Sequence, residues 1–210
     1  SSPVQIFFDK KYPDRPPRVS APTVQSIHPT DTDSGFLLLV EQNWPKVALF
    51  GAGHVGRALS TISSQLPIRL SVFDQRTEQC ALVPRADNLW IEQSVDLLAK
   101  AAQLNDFRAA LIMTHSHQLD YELCKVLLPN AAIRHIGLIG SNSKSKRFRK
   151  NLKKDGLRES DIARLTCPIG QNGPPGKEPG TIALAVLSEL LQHLTIHSNQ
   201  LNEQSIDAAA

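Results

Sequence analysis

The sequence predicts an α/β fold built on a doubly wound, mostly parallel sheet. First, short apolar segments alternate with amphipathic segments from residue 46 onward. Second, the segment 47–50 is apolar without polar alternation, as expected of a parallel strand covered by helices on both faces. Third, Gly51, Gly53 and Gly56 follow it with the spacing G-x-G-x-x-G and lead into an amphipathic segment. This order of strand, tight turn and helix is typical of a Rossmann-like domain.

An irregular arm is predicted ahead of this domain, over residues 1–45. The segment is rich in proline, serine, threonine and aspartate, and the run at 12–18 is incompatible with a helix or a central strand. The apolar run 36–40 could form an edge strand or pack against the main domain. Residues 1–45 are therefore interpreted as an extended arm or the remnant of an N-terminal domain.

The elements of the main domain follow in order along the chain. Apolar runs predict strands at 47–50, 69–74, 89–91, 109–114 and 135–140. Amphipathic runs predict helices at 53–65, from a cap at Ser94 to Ala102, and at 118–128, 143–155, 160–165 and 180–193. Right-handed crossovers give the strand order 3-2-1-4-5. The Rossmann-like domain is expected over 46–197 and a flexible tail over 198–210.

Composition narrows the classes of function. Apolar residues form 41% of the 210-residue chain, and its formal net charge of +3 argues only weakly for a nucleic-acid partner. No apolar run approaches the roughly 18–20 residues that span a bilayer. Cys80, Cys124 and Cys167 are widely spaced and lack a C-x-x-C pair, which argues against a disulfide framework or a structural zinc site. We expect a cytoplasmic protein that binds neither nucleic acid nor membrane.

Basic residues are nevertheless concentrated in the predicted helix near residue 150. Such a run is either a solvated helix face or an anion-attracting rim beside a cleft. The residues are Lys144, Lys146, Arg147, Arg149, Lys150, Lys153 and Lys154.

The glycine-rich turn predicts a phosphate site. Gly51 permits the tight turn, Gly53 lets a phosphate approach the backbone, and Gly56 lets the helix pack closely on the strand. The amides at the helix start attract an anion. Asp74, at the end of the next predicted strand, is placed to accept hydrogen bonds from a ribose hydroxyl. The alternative is a Rossmann-type scaffold whose site is vacant.

A second polar loop follows the fourth predicted strand. His115, His117 and Asp120 could bind a metal, move protons or hydrogen-bond a polar ring system. Alternatively, His115 caps the loop and Asp120 closes the first turn of the following helix.

Two further segments add polar groups. Gly140 ends the fifth strand, Ser141 or Ser143 starts the next helix, and Lys144 completes a second anion site or an ordinary capped helix. The segment 167–181 is dense in proline and glycine and carries Cys167, which could ligate a soft metal or pass sulfur. It is equally read as a buried small apolar residue. Lys177 and Glu178 lie near the start of the last helix.

Four blocks of sequence together resemble one known family. They are FGAGHVGRAL at 50–59, MTHSHQLD at 113–120, IGLIGSNSKSKRF at 136–148 and CPIGQNGPPGKEP at 167–179. In this order they look like the C-terminal Rossmann-like domain of the xanthine dehydrogenase accessory factor family. The resemblance covers roughly residues 46–193 and is far more specific than the glycine pattern alone.

The resemblance implies a cofactor chaperone of purine catabolism rather than an enzyme. Family members are described as binding the molybdenum cofactor (molybdopterin), promoting its sulfuration with a cysteine desulfurase and delivering it to apo-xanthine dehydrogenase. A homodimer is expected, because a one-domain carrier must present its cargo to partners. Residues 1–45 lack the glycine-rich and cysteine-bearing motifs of the family's N-terminal domain.

The family's motif positions imply a set of cofactor-binding residues here. Cys167 is the candidate contact to molybdenum. The others are Gly51, Gly53, His54, Gly56, His115, His117, Asp120, Gly140, Ser141, Lys144, Gly170, Lys177 and Glu178.

Two other classes of function remain open at this point. Gly51, Gly53, Gly56 and Asp74 are also compatible with an NAD(P)-binding oxidoreductase. An interaction module that recruits other maturation proteins is the third hypothesis.

Overall fold

The computed structural model describes residues 4–11, 13, 18–20, 30–32, 35–40 and 44–207. The chain divides into two compact units, residues 1–44 and 45–210.

The N-terminal unit contains a four-stranded antiparallel sheet. Its strands are β1 (Val4–Asp9), β2 (Arg18–Ser20), β3 (Thr30–Thr32) and β4 (Gly35–Val40), in the order β2-β1-β4-β3. This sheet differs from the irregular arm expected from the sequence, because the proline-rich run lies between β1 and β2 rather than within a strand. The apolar run 36–40 belongs to β4, which pairs with both β1 and β3, so its prediction as an edge strand is wrong.

The C-terminal unit is built on a six-stranded, all-parallel sheet. The strands are β5 (Lys46–Phe50), β6 (Arg69–Asp74), β7 (Leu89–Gln93), β8 (Phe107–Ile112), β9 (His135–Leu138) and β10 (Leu165–Thr166). Their order is β10-β9-β8-β5-β6-β7. The doubly wound fold and the order 3-2-1-4-5 of the first five strands are thus confirmed. β10 was not predicted, because two residues are too short to show a periodicity.

Seven helices accompany these strands in the described part of the chain. They are α1 (His54–Ser63), α2 (Thr77–Ala81), α3 (Leu97–Ala102), α4 (His117–Leu127), α5 (Asn142–Lys154), α6 (Glu159–Ala163) and α7 (Pro179–Asp207). The helix α2 was missed.

Two predicted helix ends need correction. The cap of α3 is Asp96, whose carboxylate accepts hydrogen bonds from the amides of Leu98 and Ala99, rather than Ser94. The helix α7 continues to Asp207 instead of ending at His193, because no glycine or proline stops it. The expected flexible tail is therefore helical as far as Asp207, and its last three residues lie outside the described part of the chain.

The parallel sheet is covered on both faces, as the apolar strands require. In β5, Ala48 and Phe50 pack into a core formed with α3, α4, α5 and α6. Val47 and Leu49 point to the other face and pack into a core formed with α1 and α7. All four side chains are fully buried. This alternation assigns successive β5 side chains to opposite faces of the sheet.

The strand β7 lies at one edge of the sheet. Its Trp90 side chain is 66% exposed, an unusual position for a large apolar group. Among the described helices, none has both the length and the apolar character that crossing a membrane requires.

Candidate functional site

Three of the predicted segments meet at one edge of the parallel sheet. β9, β8 and β5 are neighbours in the sheet, and all run in the same direction. The carboxyl ends of parallel strands share an edge, so the segments 140–144, 114–120 and 51–56 that follow these strands open on the same side. This shared edge is where ligands bind in open α/β sheets.

The turn after β5 needs glycine at two positions for different reasons. Gly51 has a φ of +116°, and a Cβ there would lie 2.3 Å from the carbonyl oxygen of Met113. A Cβ at Gly56 would lie 2.1 Å from the carbonyl oxygen of Gly51. The first contact also places this turn directly against the segment that follows β8.

Gly53 differs from these two glycines, because a Cβ there would meet nothing within 4 Å. The space beside its backbone is open. Gly53 is also the N-cap of α1 and provides no side-chain cap, and the first turn of α1 contains no acidic residue. Uncapped amides at a helix start attract anions, and here the space next to them is open.

The neighbouring helices are capped by their own side chains. The Ser116 hydroxyl accepts a hydrogen bond from the Leu119 amide at 3.3 Å, and Ser141 accepts one from the Lys144 amide at 3.2 Å. Of the two predicted starts of α5, Ser141 and Ser143, the structure has Ser141 as the N-cap, and the N-cap of α4 is Ser116. Of the three helices that follow β5, β8 and β9, α1 is the one without a side-chain cap.

Asp74 is a buried anchor for the glycine-rich turn. Its Oδ2 accepts hydrogen bonds from the Ala52 amide at 2.7 Å and from Arg76 Nη2 at 2.8 Å. Its Oδ1 accepts from the backbone amide and from Nε of Arg76, both at 2.9 Å. Burial raises the pKa of Asp74, but the hydrogen bonds from Arg76 and Ala52 outweigh burial, so the net pKa is lowered. Contact with a ribose hydroxyl would require one of these donors to leave.

Sequence reasoning missed Arg76, although it follows Asp74 by only two residues. Its guanidinium is 31% exposed, so it neutralises the Asp74 carboxylate while retaining contact with solvent. The net charge at the end of β6 is thus close to zero, whereas the sequence predicted a lone carboxylate there.

Asp120 and Lys144 bind each other rather than standing free in the cleft. Lys144 Nζ donates to Asp120 Oδ2 at 2.6 Å and to the carbonyl oxygen of Ile139 at 2.9 Å. Asp120 Oδ1 accepts hydrogen bonds from the amide of Thr114 at 3.1 Å and from its hydroxyl at 2.7 Å. Asp120 therefore does not close the first turn of α4 but joins the loops after β8 and β9. Thr114, which sequence reasoning did not select, completes this link.

Gly140 makes room for that ion pair. A Cβ at this position would lie 2.7 Å from Cδ of Lys144, so a larger residue would displace the lysine side chain. The glycine is thus a packing requirement for Lys144.

Three histidines are among the accessible polar side chains of this edge. His54 is the first residue of α1, His117 is the first residue of α4, and His115 precedes it in the loop. All three side chains are exposed. They are available to a ligand, whereas Asp74, Asp120 and Lys144 are occupied by protein partners.

Cys167 follows β10 and is half-buried. Burial raises the pKa of its thiol, and the neighbouring Lys144 and a hydrogen bond with Ser145 oppose this only in part. The thiol is therefore protonated near neutral pH. Its contact with molybdenum stays a prediction.

The remaining predicted residues have different surroundings. Gly170 has a φ of +77°, and its amide donates to Glu189 Oε2 of α7 at 2.8 Å. Lys177 and Glu178 are exposed, and the Lys177 amide donates to Glu178 Oε2 at 3.1 Å. These contacts lie within the 167–178 segment and α7, and do not involve the three neighbouring loops.

The basic cluster of α5 is divided in its roles. Lys144 is buried in the ion pair described above, and Arg149 donates to the carbonyl oxygens of Ile162 and Leu165. The exposed members of the cluster are Lys146, Arg147, Lys150, Lys153 and Lys154. Exposure of these five side chains is common to a solvated helix face and to an anion-attracting rim, so both interpretations stay predictions.

Comparison with known proteins supplies an independent view of the same residues. Residues 47–190 match the family described as the XdhC Rossmann domain. The chain is 32% identical over 150 residues to the uncharacterized protein YqeB of Escherichia coli (strain K12), covering 70% of this chain and 27% of YqeB.

A solved structure shows the same fold. It is described as a xanthine dehydrogenase from Bacillus halodurans and is similar to this chain with a TM-score of 0.59 and 21% identity. The match covers 92% of this chain and 60% of the Bacillus protein. The chain thus spans about a quarter of YqeB and less than two thirds of the solved protein.

Proposed function

Because the chain belongs to the XdhC family, the xanthine dehydrogenase accessory factors, we propose that it is a cofactor chaperone of the cytoplasm. In this proposal it binds the molybdenum cofactor and assists the sulfuration and insertion of that cofactor into apo-xanthine dehydrogenase. Xanthine dehydrogenase and a cysteine desulfurase are its partners, and the carrier is a homodimer.

One observation carries this proposal. The start of α1 is uncapped, its first turn contains no acid, and the space beside Gly53 is open. The cofactor carries a phosphate, and an anion is the ligand that free helix-start amides attract. The residues present therefore fit the phosphate end of the cargo.

The accessible histidines suit the polar pterin. His54, His115 and His117 are exposed at or just before the starts of α1 and α4, the helices that follow the neighbouring strands β5 and β8. An imidazole can both donate and accept a hydrogen bond, which matches the mixed donors and acceptors of a pterin edge. In the proposed site these side chains orient the cargo, while Asp120 and Lys144 hold the two loops in register.

The molybdenum end of the cargo supplies the chemistry that the recipient enzyme uses. The role of this chain is to bind, orient and shield. Cys167 is the proposed thiol toward the metal end, and its half-buried, protonated state favours a sheltering role over that of a free nucleophile.

The nicotinamide alternative is disfavoured by Asp74. The carboxylate that would recognise a ribose accepts four hydrogen bonds from Ala52 and Arg76. A carboxylate has about four lone-pair sites, so none is left for a nucleotide. NAD(P) binding is retained as an outcome of the experiment below.

The test identifies the ligand directly. The protein is produced in cells that synthesise the cofactor, and any bound pterin is released, oxidised and identified by fluorescence and mass. We expect near-stoichiometric molybdopterin in the wild type and its loss in Gly53→Asp, which places a negative charge in the open space. Asn151→Asp is the matched control. It adds the same charge at an exposed position in the last turn of α5, away from the start of α1.

Other outcomes decide between the remaining functions. Absence of pterin from the wild type, also after cofactor is supplied, would overturn the carrier proposal. Saturable binding of NAD or NADP in calorimetry would favour an oxidoreductase. Maturation of xanthine dehydrogenase that survives both Gly53→Asp and Asp74→Ala would favour the interaction module.

A further inference from the structure

A second cluster of polar side chains lies away from the loops described above. His135 is the first residue of β9, so it lies at the amino edge of the parallel sheet, opposite the shared carboxyl edge. Its side chain lies on the face covered by α7. Gly137 lies two residues further along β9 and therefore on the same face. A Cβ added at Gly137 would meet Ile169, which belongs to the core formed with α1 and α7.

The helix α7 brings two more such groups to this face. Glu189 and His193 are four residues apart, so they lie one above the other on the helix surface. The His135 and His193 rings are stacked, with centroids 4.1 Å apart and planes inclined by 22°. One ligand atom from each of His135, Glu189 and His193 lies within 4.8 Å of the other two.

Two of these groups have buried polar atoms without a partner. His135 is 4% exposed, and its Nε2 is buried and makes no hydrogen bond. The Oε1 of Glu189 is likewise buried without a hydrogen bond. Leaving a buried polar atom without a hydrogen-bond partner is unfavourable, and native interiors rarely contain such atoms. One bound group that contacts both unpaired atoms would satisfy them together.

The cluster is prepared to bind a cation. The amide of Gly170 donates to Glu189 Oε2 at 2.8 Å, which orients the carboxylate and leaves Oε1 as its free oxygen. An imidazole in its neutral form offers a ring-nitrogen lone pair to a metal ion.

We propose that His135, Glu189 and His193 form a binding site for a divalent transition metal ion, with Zn²⁺ as the representative ion. Two imidazoles and one carboxylate are a ligand set that zinc uses in proteins. A bound ion satisfies the orphan atoms Nε2 of His135 and Oε1 of Glu189 together. It also ties α7 to β9 at the edge of the sheet away from the proposed cofactor site.

The test measures metal binding by the whole, tag-free chain. The protein is stripped with a chelator and titrated with Zn²⁺ against a chromophoric competitor, and its thermal unfolding is followed with and without Zn²⁺. We expect one equivalent of tightly bound Zn²⁺ that depends on the three residues, together with a rise in the unfolding temperature. In Glu189→Gln and His193→Gln, which retain side-chain volume, we expect the affinity to fall at least about tenfold.

The matched control is the double variant His115→Ala/His117→Ala, which removes two exposed histidines at the other edge of the sheet. It should retain the equivalent of Zn²⁺ and the thermal shift. Co²⁺ provides a second readout, because its visible absorption reports coordination by protein ligands and should be lost in Glu189→Gln. Absence of Zn²⁺ binding by the wild type overturns the proposal. Loss of Zn²⁺ binding in His115→Ala/His117→Ala would overturn it as well. So would Zn²⁺ binding that is unchanged in both Glu189→Gln and His193→Gln.

Discussion

Lys144 and Asp120 form a buried ion pair, with 2.6 Å between Nζ and Oδ2 and side chains that are 7% and 2% exposed. The two residues lie in the first turns of α4 and α5, which follow β8 and β9, so the pair joins two of the loops at the proposed site. Both were predicted as ligands from the sequence. Their geometry gives them the role of holding the loops after β8 and β9 together.

Breaking this pair should destabilise the protein more than removing it entirely. We expect Asp120→Asn or Lys144→Met to lower the free energy of unfolding by roughly 3–5 kcal/mol, because each leaves a buried group uncompensated. The double variant Asp120→Asn/Lys144→Met should lose less than the sum of the two. Urea unfolding of the wild type, the two single variants and the double variant measures the coupling energy of the pair. Lys146→Met is the control at an exposed lysine. Additive losses would argue against a coupled pair.

The three glycines of the turn should respond unequally to alanine. Gly51→Ala should lower the stability by roughly 2 kcal/mol or more, because of its positive φ and the 2.3 Å approach to Met113. Gly53→Ala should cost less, roughly 1 kcal/mol or below, since its surroundings are open and only the poorer N-cap preference of alanine is lost. The midpoints of urea unfolding measure both effects. Equal losses at the two positions would contradict the described turn.

Asp74 should make the stability sensitive to acid. Its pKa in the folded protein lies below the ordinary value of 3.8, so the unfolded chain takes up the proton first as the pH falls. The contribution of Asp74 is therefore complete above about pH 5 and is lost as the pH falls through the folded pKa. Asp74→Asn should cost roughly 1–3 kcal/mol at pH 7 and progressively less below pH 4.

Urea unfolding of the wild type and Asp74→Asn over this pH range measures that difference. The exposed Asp87→Asn variant is the control and should track the wild type. A difference between the wild type and Asp74→Asn that grows as the pH falls would show that the sign of the pKa shift is wrong.

The three cysteines should differ in their reactivity with iodoacetamide. Burial raises the pKa of all three thiols, but Cys167 is half-buried, whereas Cys80 and Cys124 are buried. Cys167 should therefore be alkylated first in the folded protein, and all three should react at similar rates in urea. Peptide mass spectrometry follows the modification at each site. Alkylation of Cys124 as fast as that of Cys167 would contradict the packing of α4.

Much of the parallel sheet could be predicted from the sequence, because its signals are local. The apolar run of β5 and the glycines after it identify the first strand and helix, and the handedness of crossovers then fixes the order of the five longer strands. The short elements β10 and α2 escaped prediction, since two and five residues show no periodicity. The end of α7 escaped it because no breaker marks the end.

The candidate site was predictable in location but not in the roles of its residues. Parallel strands place their exits together whatever the side chains are, so the shared edge follows from the fold class. Whether Asp74 stands free or is bonded depends on the Ala52 amide, 22 residues earlier in the chain, and on the fold of the turn. The cluster of His135, Glu189 and His193 joins β9 to a helix that is far away in the sequence. No motif with a fixed spacing predicts it.

The exposed indole of Trp90 has a practical consequence for following the unfolding of this protein. The chain has two tryptophans, and Trp90 is already largely hydrated in the native state, while Trp44 is half-buried just before the parallel sheet begins. Emission from Trp90 will shift little when the sheet comes apart, so intrinsic fluorescence would report mainly on the neighbourhood of Trp44. Far-ultraviolet circular dichroism, which follows the backbone of the helices, is the signal that reports the sheet-and-helix unit itself.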